Sequence, residues 1–490
     1  MRDDEIRQIL VASNPWWAAA ARGGDRSAWM PYHRLLRGRA DFDLGYRPTV
    51  LSDIATEPLD DSLVVLTGPR RVGKSVALID AIATLCSRPE IDPRQIIHIS
   101  CEGMRERDLR RTLTLARALT ASADSAGELR RIWFFDEVTA VPGWTGVLKQ
   151  ARDLSSFGAD TVVATGSRWA GNSQIHGDLM AGRAGSGGRR RIRQLMPMSF
   201  RDYLAAVKPG LERPERVHPS ELASSAVHRE LAAAIYSVDD YDLAWQDYLT
   251  CGGFPRAVAE HSATGAVSGA FAEDLMGWLR TDIDEDASRE SIPLLLVELA
   301  DRMTSPLNMT NLAEELNYGS RNSLERRLAR MVRSYAALRC HQRADSGRIV
   351  NGSQHKVYLT DPILAWLPSM VSAGLPAPDF TKLTEAALGV SLARRIDSLD
   401  QGRWSDDDTI GFARTASGGE IDLAPARVPA GVDMAWSVPI ESKWVGAGWK
   451  GESRPLAGKY GRGLVATKSV LDTTNSVWAV PAPLVALLLE

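Results

Sequence analysis

The sequence has few cysteines, and they lie far apart. None of them forms a Cys-x-x-Cys pair, so we expect neither a structural zinc site nor a disulfide framework. The four positions are Cys86, Cys101, Cys251 and Cys340.

A targeting or membrane-spanning pattern is also lacking. Residues 1–10, MRDDEIRQIL, carry acids where a secretion signal needs a basic region and then an apolar core. The longest strongly apolar stretch, residues 477–489, is interrupted by Pro481 and Pro483. It is shorter than the roughly 20 residues that cross a bilayer. We therefore expect a cytoplasmic protein with no membrane partner.

Neither sign of charge is in large excess. The 490 residues include 58 Lys and Arg against 61 Asp and Glu, a formal net charge of −3. This balance excludes an indiscriminately basic protein, but it leaves room for a local basic patch. Hydrophobic residues make up 44% and charged residues 24%, which excludes wholesale disorder. At roughly 100–200 residues per domain, the length predicts three or four domains.

What the sequence does contain is a region of alternating apolar and helical segments between about residues 62 and 170. This alternation is typical of an α/β fold in which a parallel sheet is covered on both faces, giving three layers. The apolar runs are residues 63–66, 96–99, 132–135 and 162–163.

A phosphate-binding loop is the strongest motif. Residues 68–75 match GxxxxGK[ST] and lie between the apolar strand 63–66 and the helical run 76–86. Glycines in such a loop allow backbone N–H groups to surround phosphate oxygens at a helix N-terminus. Lys74 would supply charge to the β- and γ-phosphates, and Ser75 would ligate Mg²⁺. The predicted ATP-binding residues are Gly68, Pro69, Arg70, Arg71, Val72, Gly73, Lys74, Ser75 and Val76.

Polar residues end two further strands. Asp136 and Glu137 follow the apolar run 132–135, 61 residues after Ser75. Asp136 is predicted to hold Mg²⁺, mostly through water, and Glu137 to polarise the attacking water. A hydroxyl after the strand near residue 163 would position that water, and we favour Ser167 over Thr165.

Hydrolysis of this kind needs positive charge near the developing γ-phosphate. Arg183 is the preferred candidate for a residue that reaches into a neighbouring subunit, which predicts a head-to-tail homo-oligomer with a hexamer as the expected form. Arg256 is a candidate for sensing nucleotide, with a surface helix arginine as the alternative. A later basic cluster is interpreted as a DNA or subunit contact, or as a solvated loop, and consists of Arg189, Arg190, Arg191 and Arg193.

The chain resembles the AAA+ ATPases of bacteria and archaea that carry a C-terminal domain of unknown function. The resemblance rests on residues 68–75, 135–137, 141–144, 164–167, 181–183, 196–204 and 252–255. It implies an ATPase core, a helical lid, a winged helix and a nuclease-like C-terminal domain. The basic insert at 185–191 departs from the family pattern because it is longer and richer in arginine.

These patterns together predict five segments. They are a helical extension (1–60), an AAA+ nucleotide-binding core (61–224), a helical lid (225–290), a winged helix (291–372) and a restriction-endonuclease-like α/β domain (376–490).

A basic helix is the main feature of the predicted winged helix. Leu324, Leu328 and Met331 recur at helical spacing, which predicts one buried face. A basic second helix of a helix-turn-helix is suited to DNA, which we favour. The alternative is a winged helix that serves only for packing or subunit contacts. The arginines on the remaining positions are Arg321, Arg326, Arg327, Arg330 and Arg333.

A short acidic motif near the C-terminus resembles the restriction-endonuclease fold. Asp422 is followed about twenty residues later by Glu441-x-Lys443, and the period of two places Glu441 and Lys443 on one strand face. Asp422 and Glu441 would share a divalent metal, and Lys443 would orient or deprotonate water. Glu385 matches the family's additional acid. The alternative is a domain that retains this fold without cleaving DNA.

The leading hypothesis is therefore an ATP- and Mg²⁺-dependent AAA+ ring that binds DNA and remodels it or moves along it. Two alternatives are an ATP-gated, metal-dependent nuclease and a nucleotide-switched signalling or defence scaffold.

Overall fold

The computed structural model describes residues 1–21, 25–57, 62–121, 130–154, 156–167, 191–283, 291–400, 403–406 and 409–490. The chain divides into two compact units, Met1–Met196 and Pro197–Glu490. None of the helices in the described ranges combines the length and apolarity needed to cross a membrane.

The first unit consists of a parallel sheet with helices around it. Its helices are α1 (Asp3–Ser13), α2 (Trp16–Ala21), α3 (Arg34–Ala40), α4 (Ser52–Thr56), α5 (Lys74–Cys86), α6 (Glu106–Leu119) and α7 (Trp144–Leu154). Its strands are β1 (Leu63–Thr67), β2 (Ile96–Ser100), β3 (Ile132–Asp136), β4 (Thr161–Gly166) and β5 (Ile192–Gln194).

The strand order β2-β3-β4-β1-β5 places β1 in the interior of this sheet, between β4 and β5. Every pairing in it is parallel. Residues of β1 and β4 are buried throughout, as expected for strands covered by helices on both faces. The predicted α/β core with a parallel sheet is therefore confirmed, and the carboxyl ends of β1, β3 and β4 meet at one edge.

The N-terminal extension packs on this unit through its tryptophans. The indole N–H groups of Trp16 and Trp17 both donate to the carbonyl oxygen of Ile96, each at 2.9 Å. Trp16 is fully buried. The extension therefore has a packing role at the first residue of β2.

The second unit is richer in helix. Its helices are α8 (Phe200–Val207), α9 (Ser225–Ala234), α10 (Val238–Cys251), α11 (Pro255–Thr264), α12 (Gly269–Ile283), α13 (Ser291–Arg302), α14 (Met309–Glu315), α15 (Arg321–Arg333), α16 (Ile363–Val371), α17 (Phe380–Leu399), α18 (Ser453–Tyr460) and α19 (Ala482–Leu489). Its strands are β6 (Ala337–Arg343), β7 (His355–Leu359), β8 (Ile410–Arg414), β9 (Glu420–Ile421), β10 (Arg427–Ala430), β11 (Asp433–Trp436), β12 (Ile440–Ser442), β13 (Gly463–Thr467) and β14 (Val477–Pro481).

Strand pairing joins two segments that the sequence predicts to be separate. The antiparallel hairpin β6–β7 continues into β8 and β9, because β6 also pairs in parallel with β8. The segments 291–372 and 376–490 therefore lie in one compact unit. The pairing with β8 satisfies the backbone N–H and C=O groups at the free edge of β6. Because the two strands are distant in the sequence, local spacing cannot predict this pairing. A separate parallel sheet has the order β12-β13-β14.

The motif Gly252-Gly253-Phe254-Pro255 has a packing reason. Gly252 has a φ of 69°, and a Cβ there would lie 2.0 Å from an oxygen of Asp361. A Cβ on Gly253 would lie 2.0 Å from the carbonyl oxygen of Met198. The N–H of Gly253 donates to Asp361 at 2.8 Å, and burial raises the pKa of this carboxyl to about 6. Both glycines are therefore required by close approach within the second unit.

Candidate functional site

The loop after β1 has the backbone geometry of an anion-binding turn. Gly68 and Gly73 have φ angles of 152° and 100°, and Arg71 has a φ of 65°. A Cβ on Gly68 would lie 2.0 Å from the carbonyl oxygen of Leu195, so only glycine fits beside the segment that follows β5. The loop ends where α5 begins at Lys74, which places the N-terminal N–H groups of that helix at the loop.

The Lys74 side chain is buried and folds back over this loop. Its ammonium donates to the carbonyl oxygens of Gly68, at 3.0 Å, and Pro69, at 2.8 Å. The Glu137 carboxylate lies 3.7 Å from the same ammonium. Lys74 is thus positioned between the loop and an acidic side chain delivered by β3.

Hydrogen bonds link the ends of β3 and β4. The Thr165 hydroxyl donates to Asp136 at 2.8 Å and accepts from the N–H of Glu137 at 3.0 Å. Glu137 has a φ of 54°, and its carboxylate accepts from the N–H and the hydroxyl of Ser167 at 3.2 and 3.1 Å. Both hydroxyls considered in the sequence therefore contact this site: Thr165 holds Asp136, whereas Ser167 holds Glu137.

The structure describes only some of the predicted arginines. Arg183, Arg189 and Arg190 lie outside the described residues, and Arg191 is partly buried just before β5. Arg193 is not a loop residue: it lies in β5, and its guanidinium makes a two-pronged contact with Asp53 at 2.5 and 2.6 Å.

Arg256 lies in the first turn of α11, in the second unit. It pairs with Glu260 at 2.8 Å and stacks over the ring of Phe271, 5.1 Å from its centroid. These contacts give Arg256 a local role, and nucleotide sensing by it stays a prediction.

Helix α15 buries one face and exposes its arginines on the other. Leu324, Leu328 and Met331 are buried, in agreement with the predicted face. Arg321 and Arg326 are exposed, and Arg321 lies 3.8 Å from Glu325.

Two further arginines of α15 contact neighbouring residues. Arg327 stacks over Tyr318, 4.1 Å from the ring centroid, and Arg330 donates to the carbonyl oxygen of Ile283 at 2.9 Å. Arg321, Arg326 and the exposed Arg333 are therefore better placed for an external anion than Arg327 and Arg330 are.

Four acidic residues form what we call the carboxylate cluster in the second unit. Its members are Glu385 on α17, Glu420 and Asp422 at and after β9, and Glu441 on β12. The structure brings three of the predicted nuclease-like residues close together through direct contacts: the N–H of Asp422 donates to Glu441 at 3.3 Å, and Lys443 pairs with Glu441 at 3.3 Å.

The central residue of this cluster, Lys356, is not among the residues that the sequence patterns predict. The ammonium of Lys356, from β7, lies 2.8 Å from Glu385, 2.8 Å from Glu420 and 2.9 Å from Asp422. Its side chain is 0% exposed. The signal that marks Lys356 is a lysine within a fully buried strand, His355–Leu359.

Burial dominates the protonation of the cluster. It raises the pKa of Glu385 and of Glu441 to about 8 each, and the charge of Asp422 adds to the increase. Burial alone would lower the pKa of Lys356, but Asp422, Glu385 and Glu420 outweigh it and hold that pKa well above its usual value. The lysine is therefore fully charged, and Glu385 and Glu441 retain protons near neutral pH.

Comparisons with known sequences identify two segments of the chain. Residues 60–204 match a family described as an AAA domain. Residues 242–372 match a family described as a domain of unknown function, DUF8612. No curated protein matches the chain. The winged helix and the restriction-endonuclease-like domain stay predictions.

Two solved structures match part of this chain at low sequence identity. The Walker-type ATPase PABY2304 of Pyrococcus abyssi is 15% identical, and the match covers 66% of this chain and 96% of that one with a TM-score of 0.37. The ORC1 protein of Aeropyrum pernix, solved in complex with DNA, is 11% identical, with 69% and 89% covered and a TM-score of 0.28.

Proposed function

We propose, from the premise that this chain contains an AAA-type P-loop ATPase domain, that it binds ATP and hydrolyses it to ADP and phosphate. The observation that carries the proposal is the position of Glu137. Its carboxylate is held by Ser167 and lies 3.7 Å from Lys74 at the phosphate-binding loop. This arrangement brings together a group that binds phosphate and a group that orients water.

Bound phosphate would replace the carbonyl partners of Lys74. Neutral carbonyl oxygens attract an ammonium less strongly than phosphate oxygens do, because a phosphate carries a full negative charge. Lys74 would therefore turn from Gly68 and Pro69 to the β- and γ-phosphates. Glu137, still fixed by Ser167, would then accept a hydrogen bond from the attacking water.

The residues at the mouth of the loop fit a magnesium ion. A hydroxyl on Ser75 and a carboxylate on Asp136 are oxygen ligands of the kind Mg²⁺ prefers, and Thr165 orients Asp136 through its hydrogen bond at 2.8 Å. Ser75 and Asp136 would hold the ion, Asp136 mostly through water. When bound, Mg²⁺ supplies positive charge to the phosphate oxygens.

We also propose that a neighbouring copy completes the site. Positive charge placed beside the γ-phosphate, where negative charge develops, is a large part of catalysis in P-loop enzymes. Arg183 is our candidate for this role, acting across a subunit boundary in a head-to-tail ring with a hexamer as the expected form. Arg256 is the proposed candidate for sensing nucleotide.

DNA is the proposed partner, and remodelling of DNA or movement along it is the proposed use of ATP. Helix α15 supports this because Arg321 and Arg326 face solvent while the opposite face is buried. Arginines arranged in this way bind phosphates, and the affinity falls steeply with salt. The basic residues Arg189, Arg190 and Arg191 are proposed to add to the same binding.

An ATPase assay with different DNA forms tests the whole proposal. We expect hydrolysis to rise with one of duplex, branched or single-stranded DNA, together with a particle mass that is a multiple of 53.5 kDa. The variant Arg321→Ala/Arg326→Ala should bind DNA more weakly and with a salt slope shallower by about 2.

Arg454→Ala, at an exposed arginine of α18, is the matched control and should behave like the wild type. A protein that hydrolyses ATP equally with and without every DNA form, and binds none of them, would refute the DNA partner but leave the ATPase assignment intact. A protein without ATPase activity in any of these mixtures would refute both.

A further inference from the structure

Lys356 has the surroundings of a bound cation. An ammonium has three N–H donors, and three carboxylates of the carboxylate cluster, Glu385, Glu420 and Asp422, lie 2.8, 2.8 and 2.9 Å from its nitrogen. The Tyr358 hydroxyl, two residues along β7, donates to the same oxygen of Glu385 at 2.8 Å. The donors of Lys356 are thus matched one to one with acids.

The remaining oxygens of the cluster face donors as well. The second oxygen of Asp422 accepts from the N–H of Ser442 at 2.9 Å. Glu441 accepts from the N–H of Asp422 at 3.3 Å through one oxygen and pairs with Lys443 at 3.3 Å through the other. Both oxygens of Asp422 and both oxygens of Glu441 therefore point at N–H groups rather than at a common point.

This geometry does not fit the divalent metal that the resemblance to restriction endonucleases implies. Mg²⁺ needs carboxylate oxygens about 2.1 Å from one centre in a near-octahedral arrangement. Among the residues that the structure describes, no group of three His, Cys, Asp or Glu side chains is placed to hold a metal ion. Lys356 instead lies between Glu385 and Asp422, two of the predicted nuclease-like acids.

We propose that Lys356 is the resident cation of the carboxylate cluster and takes the place of a divalent metal there. The ammonium neutralises part of the charge, repels a second cation by Coulomb interaction at close range, and ties β7 to α17 and to the segment after β9. The cluster is thus a charged element of the core in a nuclease-like fold, and the unit needs no metal to be stable. The inference is independent of the proposed ATPase.

A substitution of comparable length without charge should convert this cluster into a metal site. In Lys356→Met, Glu385, Glu420 and Asp422 lose the ammonium that they share, so a divalent cation can take its place among them. We expect nucleotide-free, full-length Lys356→Met to bind Mn²⁺ at least about tenfold more tightly than the wild type, and to gain thermal stability when Mn²⁺ is added. Isothermal titration and thermal unfolding measure the two effects.

Two variants make the test specific. Lys450→Met removes an exposed lysine of the same unit and should leave Mn²⁺ binding as in the wild type. Lys356→Met/Asp422→Asn removes one acid as well and should lose the gained Mn²⁺ binding.

The proposal is overturned if folded Lys356→Met binds Mn²⁺ no better than the wild type does. If Lys356→Met does not fold, the wild type and Asp422→Asn decide. Equal Mn²⁺ binding by those two supports the proposal, whereas binding that is tight in the wild type and absent in Asp422→Asn refutes it. Mn²⁺-dependent DNA cleavage by the wild type that Asp422→Asn abolishes would refute it too.

Discussion

Two buried lysines, one in each unit, are surrounded by oxygen atoms, but the oxygens differ in kind. Lys74 donates to the main-chain carbonyls of Gly68 and Pro69 and has one carboxylate, Glu137, at 3.7 Å. The Glu137 side chain is 24% exposed. Lys356 has three carboxylates within 2.9 Å, and its own side chain is 0% exposed.

The difference shows that a buried lysine can bind a replaceable partner at one site and stabilise the fold at another. A carbonyl oxygen releases an ammonium when a charged phosphate competes for it. The acids around Lys356 do not, because the buried Asp422 would be left without its counter-charge. The Lys74 site is therefore open to a ligand, and the Lys356 site is saturated by the protein itself.

Removal of Lys74, whose hydrogen-bond partners a ligand can replace, is expected to have the largest effect on function. Lys74→Ala should weaken ATP binding by at least about a hundredfold, since the phosphates lose a buried positive charge. Stability should change little, because the two carbonyl partners are neutral. Titration with ATP measures the affinity, and Lys149→Ala, at an exposed lysine of α7, is the control. Unchanged ATP affinity in Lys74→Ala would mean that the loop is not the phosphate site.

Glu137→Gln separates binding from turnover at the same site. The amide has nearly the same shape and can still accept from Ser167 through its oxygen, so ATP should bind as in the wild type. Hydrolysis should fall by about 10²–10⁴-fold, the usual contribution of a general base. Single-turnover rates with saturating ATP measure this step.

A matched substitution controls for the loss of a carboxylate. Glu102→Gln changes an exposed acid that follows β2 in the same unit, and its hydrolysis rate should equal that of the wild type. Wild-type hydrolysis by Glu137→Gln would show that another group orients the water.

The nucleotide site could be predicted from sequence because its parts are local. The loop and the start of α5 are one continuous motif, and Asp136 and Glu137 follow the apolar strand that carries them. Parallel strands then bring those ends to one edge without further information. The hydrogen bonds of Thr165 and Ser167 are harder to predict from sequence, because they depend on which hydroxyl faces which carboxylate.

The carboxylate cluster could be predicted only in part because its members come from distant segments. Asp422, Glu441 and Lys443 share a spacing that sequence can reveal, whereas Lys356 reaches them through the pairing of β6 with β8. The period of two gives a hint: Lys356 and Tyr358 lie on the same face of β7, and both contact Glu385. A lysine in a strand otherwise fully buried should have indicated a buried ion pair.

The same Glu-to-Gln change at Glu385 should have the smallest effect, and it sharpens the contrast with Glu137. One oxygen of Glu385 accepts from Lys356 and Tyr358. Burial raises the pKa of this carboxyl from 4.5 to about 8, so at neutral pH the folded protein holds a proton there that the unfolded chain has lost. The wild type therefore loses stability as pH rises from about 4.5 to about 8, whereas glutamine does not titrate.

Glu385→Gln should thus be about as stable as the wild type at pH 5 and more stable by at least about 1 kcal/mol at pH 8, measured by denaturant unfolding. Asp422→Asn is the contrasting variant. Its two oxygens face Lys356 and the N–H of Ser442, so an amide NH₂ at either position would meet a donor and cost about 1–3 kcal/mol. A loss of several kcal/mol in Glu385→Gln at pH 7 would instead mean that Glu385 is ionised there. It would then be one of the negative charges that hold Lys356 in place. The cluster would also carry one more negative charge than it does when Glu385 is protonated.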